Sequence, residues 1–261
     1  MIYQPRDFRI RQIQTSPHHH CYGMGVGVII LDEQYPGFPG DTRNASAYPF
    51  PIQYEIAEGL CGKKLLFEAD KSSYLEPIQT AAKKLEKIGC RAITGECGYF
   101  AYFQKDIAGY VNVPVLISSL LQVPLAQQLI GPDQVVGILV FSKAVLTSAH
   151  LEAVGIQPNS NYVIEGFMES GCCPEITNLY MEPEPLLRGA NYDKIEQELT
   201  EFAVDFYQRH PNMGALLLEC SGTQPFARSI QQAINLPVFS WGTLLDYAYS
   251  IAVHRDYYGY L

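Results

Sequence analysis

Two stretches of this chain read almost alike, and their spacing constrains the fold more than any other feature. "AITGEC" (Ala92–Cys97) lies over "ALLLEC" (Ala215–Cys220), and "NVPVL" (Asn112–Leu116) over "NLPVF" (Asn235–Phe239). Cys97 and Cys220 are 123 residues apart (220 − 97), and so are Asn112 and Asn235 (235 − 112). "VGVIILD" (Val26–Asp32) also resembles "VGILVFS" (Val136–Ser142), at a different offset. Unrelated α/β segments share apolar strands, but they do not share Glu-Cys followed at one interval by Asn-X-Pro-Val. The repeat implies two pseudo-symmetric halves. Such halves face each other across a cleft, with the carboxyl ends of their strands pointing into it. Each half then delivers one thiol to a shared cavity.

The rest of the pattern gives the fold class. Apolar runs that read as buried parallel strands are Gly25–Asp32, Lys63–Phe67, Cys90–Glu96, Val113–Ser118, Val135–Ser142, Asn161–Phe167, Gly214–Glu219 and Leu236–Ser240. Amphipathic spacing marks helices over Tyr74–Ile88 and Tyr192–Tyr207, and Pro124 sits early in a helix over Leu120–Ile130. Strands alternating with helices indicate two α/β domains, each a mostly parallel sheet flanked by helices. The expected division is an arm over 1–20, a first domain over 21–118, a second over 119–240, and a C-terminal segment, 241–261, packing back on the first. The aromatic tail "DYYGYL" (Asp256–Leu261) is expected to pack on a partner chain or on the protein's own surface.

Composition excludes several function classes. A net charge of −9 argues against a nucleic-acid binder, which needs basic groups to displace counterions from phosphates. No apolar run approaches the roughly 20 residues of a membrane span, and the first 20 residues lack the apolar centre of a signal peptide. Only 17% of residues are charged, which suits a large core and is compatible with a homo-oligomer. Seven cysteines, an odd number in a large chain, suggest a reducing cytoplasm rather than a disulfide framework. No zinc spacing is visible, and His18-His19-His20 reads as a solvated arm, so no metal is expected. "GMGVG" (Gly23–Gly27) precedes the first strand instead of joining strand to helix, so no nucleotide cofactor is expected either.

Cys97 and Cys220 each end a strand before a turn, where backbone N–H groups favour negative charge and lower a thiol's pKa. A buried structural cysteine is the ordinary alternative, and it accounts for the other five. Two opposed thiols suit stereoinversion at an acidic carbon: one removes the α-proton and the other returns a proton from the opposite face. Side chains alternate along a strand, so Glu96 and Glu219 are expected to point away from their neighbouring cysteines. They are read as binding main-chain groups or a base behind the turn. In the loop "PGFPGDTRNAS" (Pro36–Ser46), Arg43 is a candidate two-pronged clamp for a carboxylate. An ordinary polar surface loop accounts for it equally well. Ser142, and Ser221, Gly222 and Thr223 after Cys220, suit carboxylate binding and equally suit generic turns.

These residues together resemble the aspartate/glutamate racemase superfamily, which includes amino-acid and hydantoin racemases, maleate isomerases and arylmalonate decarboxylases. The resemblance runs from about Gly23 to Trp241 and is carried by "PGDTRN", "ECGYFAYFQ", "VPVLISSLLQVP", "VGILVFS" and "LECSGTQPF". It implies two α/β domains with the active site between them, no cofactor, and Cys97 and Cys220 as the proton-transfer residues. It also implies that Gly98, Tyr99, Ser221, Gly222 and Thr223 bind a substrate carboxylate while Arg43, Asn44 and Ser142 line the cleft. Glutamate racemases follow their cysteines with Asn-Thr and Thr-His. This chain has Gly98-Tyr99 and Ser221-Gly222, which points to a substrate other than glutamate. The first expectation is a racemase or epimerase of a small carboxylate. The alternatives are an isomerase or lyase working through a covalent cysteine adduct, and a non-catalytic carboxylate-binding protein.

Overall fold

Eight strands form two four-stranded parallel sheets with matching topology. The computed structural model describes residues 12, 14–15, 19–257 and 259. Most of the expected N-terminal arm, His18 included, and Tyr258, Tyr260 and Leu261 of the aromatic tail lie outside the described residues. The first sheet has β1 (Val26–Leu31), β2 (Ile52–Ala57), β3 (Ala92–Gly95) and β4 (Val115–Leu116) in the order β2-β1-β3-β4. The second has β5 (Val135–Val140), β6 (Tyr162–Gly166), β7 (Met213–Leu218) and β8 (Val238–Phe239) in the order β6-β5-β7-β8. Equivalent residues hold equivalent registers: Val26 pairs with Ile52 and Ala92, and Val136 with Tyr162 and Ala215. The repeat read from the sequence is a structural repeat of two parallel sheets.

Strands β1, β3, β5 and β7 are covered on both faces, so their near-continuous apolar runs follow from burial. One expected strand is wrong. Lys63–Phe67 lies in a short helix, α1 (Gly62–Phe67), in which Leu65 is buried. The true second strand, β2, carries Gln53 and Glu55 between apolar neighbours and is only partly buried. It stands at the sheet edge, where polar residues are solvated and the apolar run that marks a buried strand is missing. Three apolar residues after two lysines were too short a pattern to show a helical period.

The expected long helices are present as α2 (Leu75–Ile88), α4 (Val123–Leu129) and α8 (Tyr192–Arg209); α3 (Gln104–Tyr110) precedes β4. α4 begins after a 3₁₀ turn, with Pro124 at its start, where a missing N–H costs nothing. Between α4 and α8 lie α5 (Ser148–Ala153), α6 (Phe167–Ser170) and α7 (Pro174–Met181), and after them α9 (Ala227–Ile234) and α10 (Trp241–Ala252). The helix after the fourth strand of each sheet crosses to the other sheet. Val123 and Ala126 of α4 pack with Val136, Ile138 and Val140 of β5. Leu245 and Ala248 of α10 pack with Val26 and Val28 of β1 and Ala92 of β3, and Tyr249 stacks on Phe50 with ring centroids 4.3 Å apart. No helix among the described residues is long and apolar enough to cross a membrane.

Candidate functional site

Strand β3 stops at Gly95 and β7 at Leu218, and each runs into Glu-Cys and then a 3₁₀ turn, Gly98–Phe103 or Ser221–Phe226. Cys97 and Cys220 are the extended residues that open those turns. Both border a single cavity of about 60 Å³, with walls drawn from both domains. The backbone N–H of Tyr99 points at the Cys97 sulfur, and those of Gly222 and Thr223 point at the Cys220 sulfur.

The thiols are nonetheless pushed well above their ordinary range, first by burial and second by the Glu219 carboxylate. This reverses the expectation that the turn would lower them. One or two N–H dipoles do not outweigh the loss of water around a thiolate with a carboxylate nearby. Both cysteines therefore rest as thiols.

The two glutamates occupy equivalent places. Glu96 accepts the backbone N–H of Leu31, and Glu219 accepts that of Phe141 at 3.3 Å. Their own N–H groups donate to Ile29 and Leu139. Each therefore ties its strand end to the neighbouring strand, in keeping with the reading that they bind main-chain groups behind the turn. The strand pleat predicts them facing away from the thiols, but both border the same cavity, because regular strand geometry ends one residue before each of them.

Beyond that shared bond the halves differ. The Arg43 guanidinium bonds both oxygens of Glu96 and donates to the carbonyls of Glu33 (2.6 Å) and Leu31 (3.1 Å). Tyr35 adds its hydroxyl to Glu96 at 3.2 Å, and its ring centroid lies 4.1 Å from the Arg43 guanidinium. Arg43 is thus committed to Glu96 and is not on the cavity wall, which corrects its expected role as a carboxylate clamp. Among the described residues Glu219 has no such base and its Oε1 has no hydrogen-bond partner, and burial pushes its carboxyl up to about 8.

Of the other expected site residues, Gly98, Tyr99 and Ser221 border the cavity. Asn44 caps the turn Ala45–Ala47 instead. Ser142 uses its hydroxyl on Glu169 and its backbone on Tyr99, whose hydroxyl donates to the Ser142 carbonyl and accepts its N–H, both at 2.8 Å. Tyr99 is therefore a cross-tie between the domains as well as a wall residue. Thr223 turns its hydroxyl to the Cys220 carbonyl at 2.6 Å. Gly98 and Gly222 are required by close approach. A Cβ on Gly98 would stand 1.9 Å from Glu219 Oε1, and one on Gly222 would stand 1.7 Å from the Tyr180 hydroxyl.

The sequence reading missed Tyr35, Lys63, Phe141, Tyr180 and Met181, all on the cavity wall. Tyr35 and Phe141 stand just after the first strand of each half, a position that could have flagged them. Tyr180, at the end of α7, has no sequence signal. Among the described residues, no group of three or more His, Cys, Asp or Glu is placed to hold a metal ion.

No protein-family model matches the chain. Among curated proteins, it is 28% identical over 226 residues to a dimethylsulfoniopropionate lyase of Durusdinium sp. clade D, covering 82% of this chain and 70% of that protein. It is 26% identical over 228 residues to dimethylsulfoniopropionate lyase 3 of Emiliania huxleyi, covering 82% of this chain but only 56% of the relative's length. Among solved structures, unliganded arylmalonate decarboxylase superposes with a TM-score of 0.59 at 14% identity, covering 89% of this chain and 94% of that one. An aspartate racemase homologue from Pyrococcus horikoshii OT3 gives 0.51 at 17% identity, covering 87% and 98%. Allantoin racemase from Pseudomonas fluorescens gives 0.51 at 12% identity, covering 87% and 90%. With two equivalent parallel sheets and a cysteine at the same strand end of each, the chain has the two-domain fold of the aspartate/glutamate racemase superfamily.

Proposed function

We propose that the protein is a cofactor-independent lyase. It acts on a small carboxylate bearing a leaving group on its β-carbon, and dimethylsulfoniopropionate is the first substrate to test. The reading rests on two thiols bordering one cavity in a chain whose relatives are named as lyases of that compound. Racemisation and elimination begin with the same step, removal of an α-proton by a thiolate. With a β-sulfonium present, the resulting carbanion expels dimethyl sulfide and leaves acrylate. The cysteine, which rests as a thiol, first loses its proton to solvent; its thiolate then takes the α-proton and returns to the resting thiol.

Cys220 is the favoured base, because two N–H groups support its thiolate and one supports that of Cys97. Lys63, which borders the cavity and makes no ion pair among the described residues, is the candidate to hold the substrate carboxylate. Headspace detection of dimethyl sulfide from purified protein is the test. Cys220→Ser should lower kcat/KM at least about 100-fold, the scale of a lost general base. Full activity in both Cys220→Ser and Cys97→Ser would sink the mechanism.

The pair of thiols at equivalent positions favours a second reading, a racemase or epimerase. It predicts deuterium at the α-carbon of recovered substrate in heavy water without elimination.

A further inference from the structure

The two glutamates break the symmetry of the halves. Glu96 is saturated by Arg43, Tyr35 and the Leu31 N–H. Glu219 borders the cavity, is fully buried, and keeps one oxygen without a partner. The loop after β5 offers it no base: Lys143 is exposed, and no salt bridge reaches Glu219 among the described residues. The other buried carboxylate with an unpartnered oxygen, Asp41, accepts the Arg43 N–H and does not border the cavity.

The cavity around Glu219 is walled by Tyr35, Tyr99, Phe141 and Tyr180. Tyr180 meets Tyr35 edge-on at 5.2 Å and Phe141 at 6.0 Å between ring centroids. Aromatic faces attract a cation, and a buried carboxylate without a countercharge is costly until one arrives. Both features select the same ligand property, a positive charge on a soft, methylated group.

We propose that Glu219 is the counter-ion for an onium group of the substrate, a sulfonium or quaternary ammonium, whose methyl groups pack against Tyr35, Phe141 and Tyr180. The proposal rests on reading this cavity as the substrate site. Glu219 acts from the cavity wall, and binding of the cation displaces its proton to solvent. The ionisable groups facing it are the thiols of Cys97 and Cys220 and the phenol of Tyr99, each of them pushed up by it. No cation competes.

The test compares two inert probes by calorimetry: 3-(trimethylammonio)propanoate and its uncharged-head isostere 4,4-dimethylpentanoate. Trimethylamine is a poor leaving group, so binding is read without turnover. The wild-type preference for the ammonium probe should rise at least tenfold between pH 6.5 and pH 8.5, and Glu219→Gln should abolish that rise. A structural role would weaken both probes alike. Equal preference at both pH values in the wild-type protein, which needs no variant, overturns the proposal. So does an unchanged pH-dependent preference in Glu219→Gln, or binding of neither probe. Dimethyl sulfide release without the pH-dependent preference removes the Glu219 role alone. The preference without release removes the lyase reading alone.

Discussion

A carboxyl that is buried without a base weakens the fold wherever the unfolded chain would ionise it. Glu219 is held up to about 8 against an ordinary 4.5. The folded state therefore keeps this proton while the unfolded state releases it. Its effect on stability is absent below pH 4.5, grows as pH rises through the interval, and levels off above 8. The full difference amounts to roughly 5 kcal/mol. Denaturant titrations at pH 5 and pH 8.5 should show Glu219→Gln gaining on the wild-type protein as pH rises. A constant gap between the two would contradict this assignment. Residue-scale roles of this kind were only partly legible. The Glu-Cys pairs stand out in the sequence, but which glutamate has a base depends on Arg43, 53 residues before Glu96.

At the scale of elements, the loop between β1 and β2 is fastened to the end of β3 by one side chain. Arg43 joins the Glu96 carboxylate to the carbonyls of Leu31 and Glu33, and its side chain is only 13% exposed. Removing one partner of a buried pair leaves the other charge uncompensated, at a cost of about 3–5 kcal/mol. Arg43→Gln should lose that much in urea titration and should raise KM only through disorder of the Tyr35 loop. A loss confined to substrate binding, with stability unchanged, would restore Arg43 as a clamp. Element types were legible where burial is complete, as in β1, β3, β5 and β7. They were not legible at β2, because an edge strand exposes Gln53 and Glu55 and loses the apolar run on which the reading depends.

For the whole molecule, the exchange of helices makes the domains interdependent. α10 covers β1 and β3 of the first sheet, and Trp241 at its start donates its indole N–H to the Glu219 carbonyl at 2.7 Å. Removing residues 241–261 uncovers that sheet face and frees the strand end beneath the site. The truncated chain, which lacks Trp241, should lose the near-UV circular dichroism of its remaining tyrosines and bind a hydrophobic dye, as a loosely packed state does. A native spectrum from the truncated chain would refute the interdependence. Trp241 is the chain's single tryptophan, so in the intact chain its emission reports on the packing of α10 against the Glu219 strand end.

The sequence by itself determined the doubling of the fold, its parallel strands and the pairing of Cys97 with Cys220. Those features are periodic, and periodicity survives in a linear string. The tertiary structure decided which side chains are consumed in holding the site together and which remain free to meet a ligand. Arg43 went to Glu96, Ser142 went to Glu169, and one oxygen of Glu219 was left without a partner among the described residues. Such choices are made by distance in space within each domain, and charge neutralisation between residues remote in sequence has no period to read.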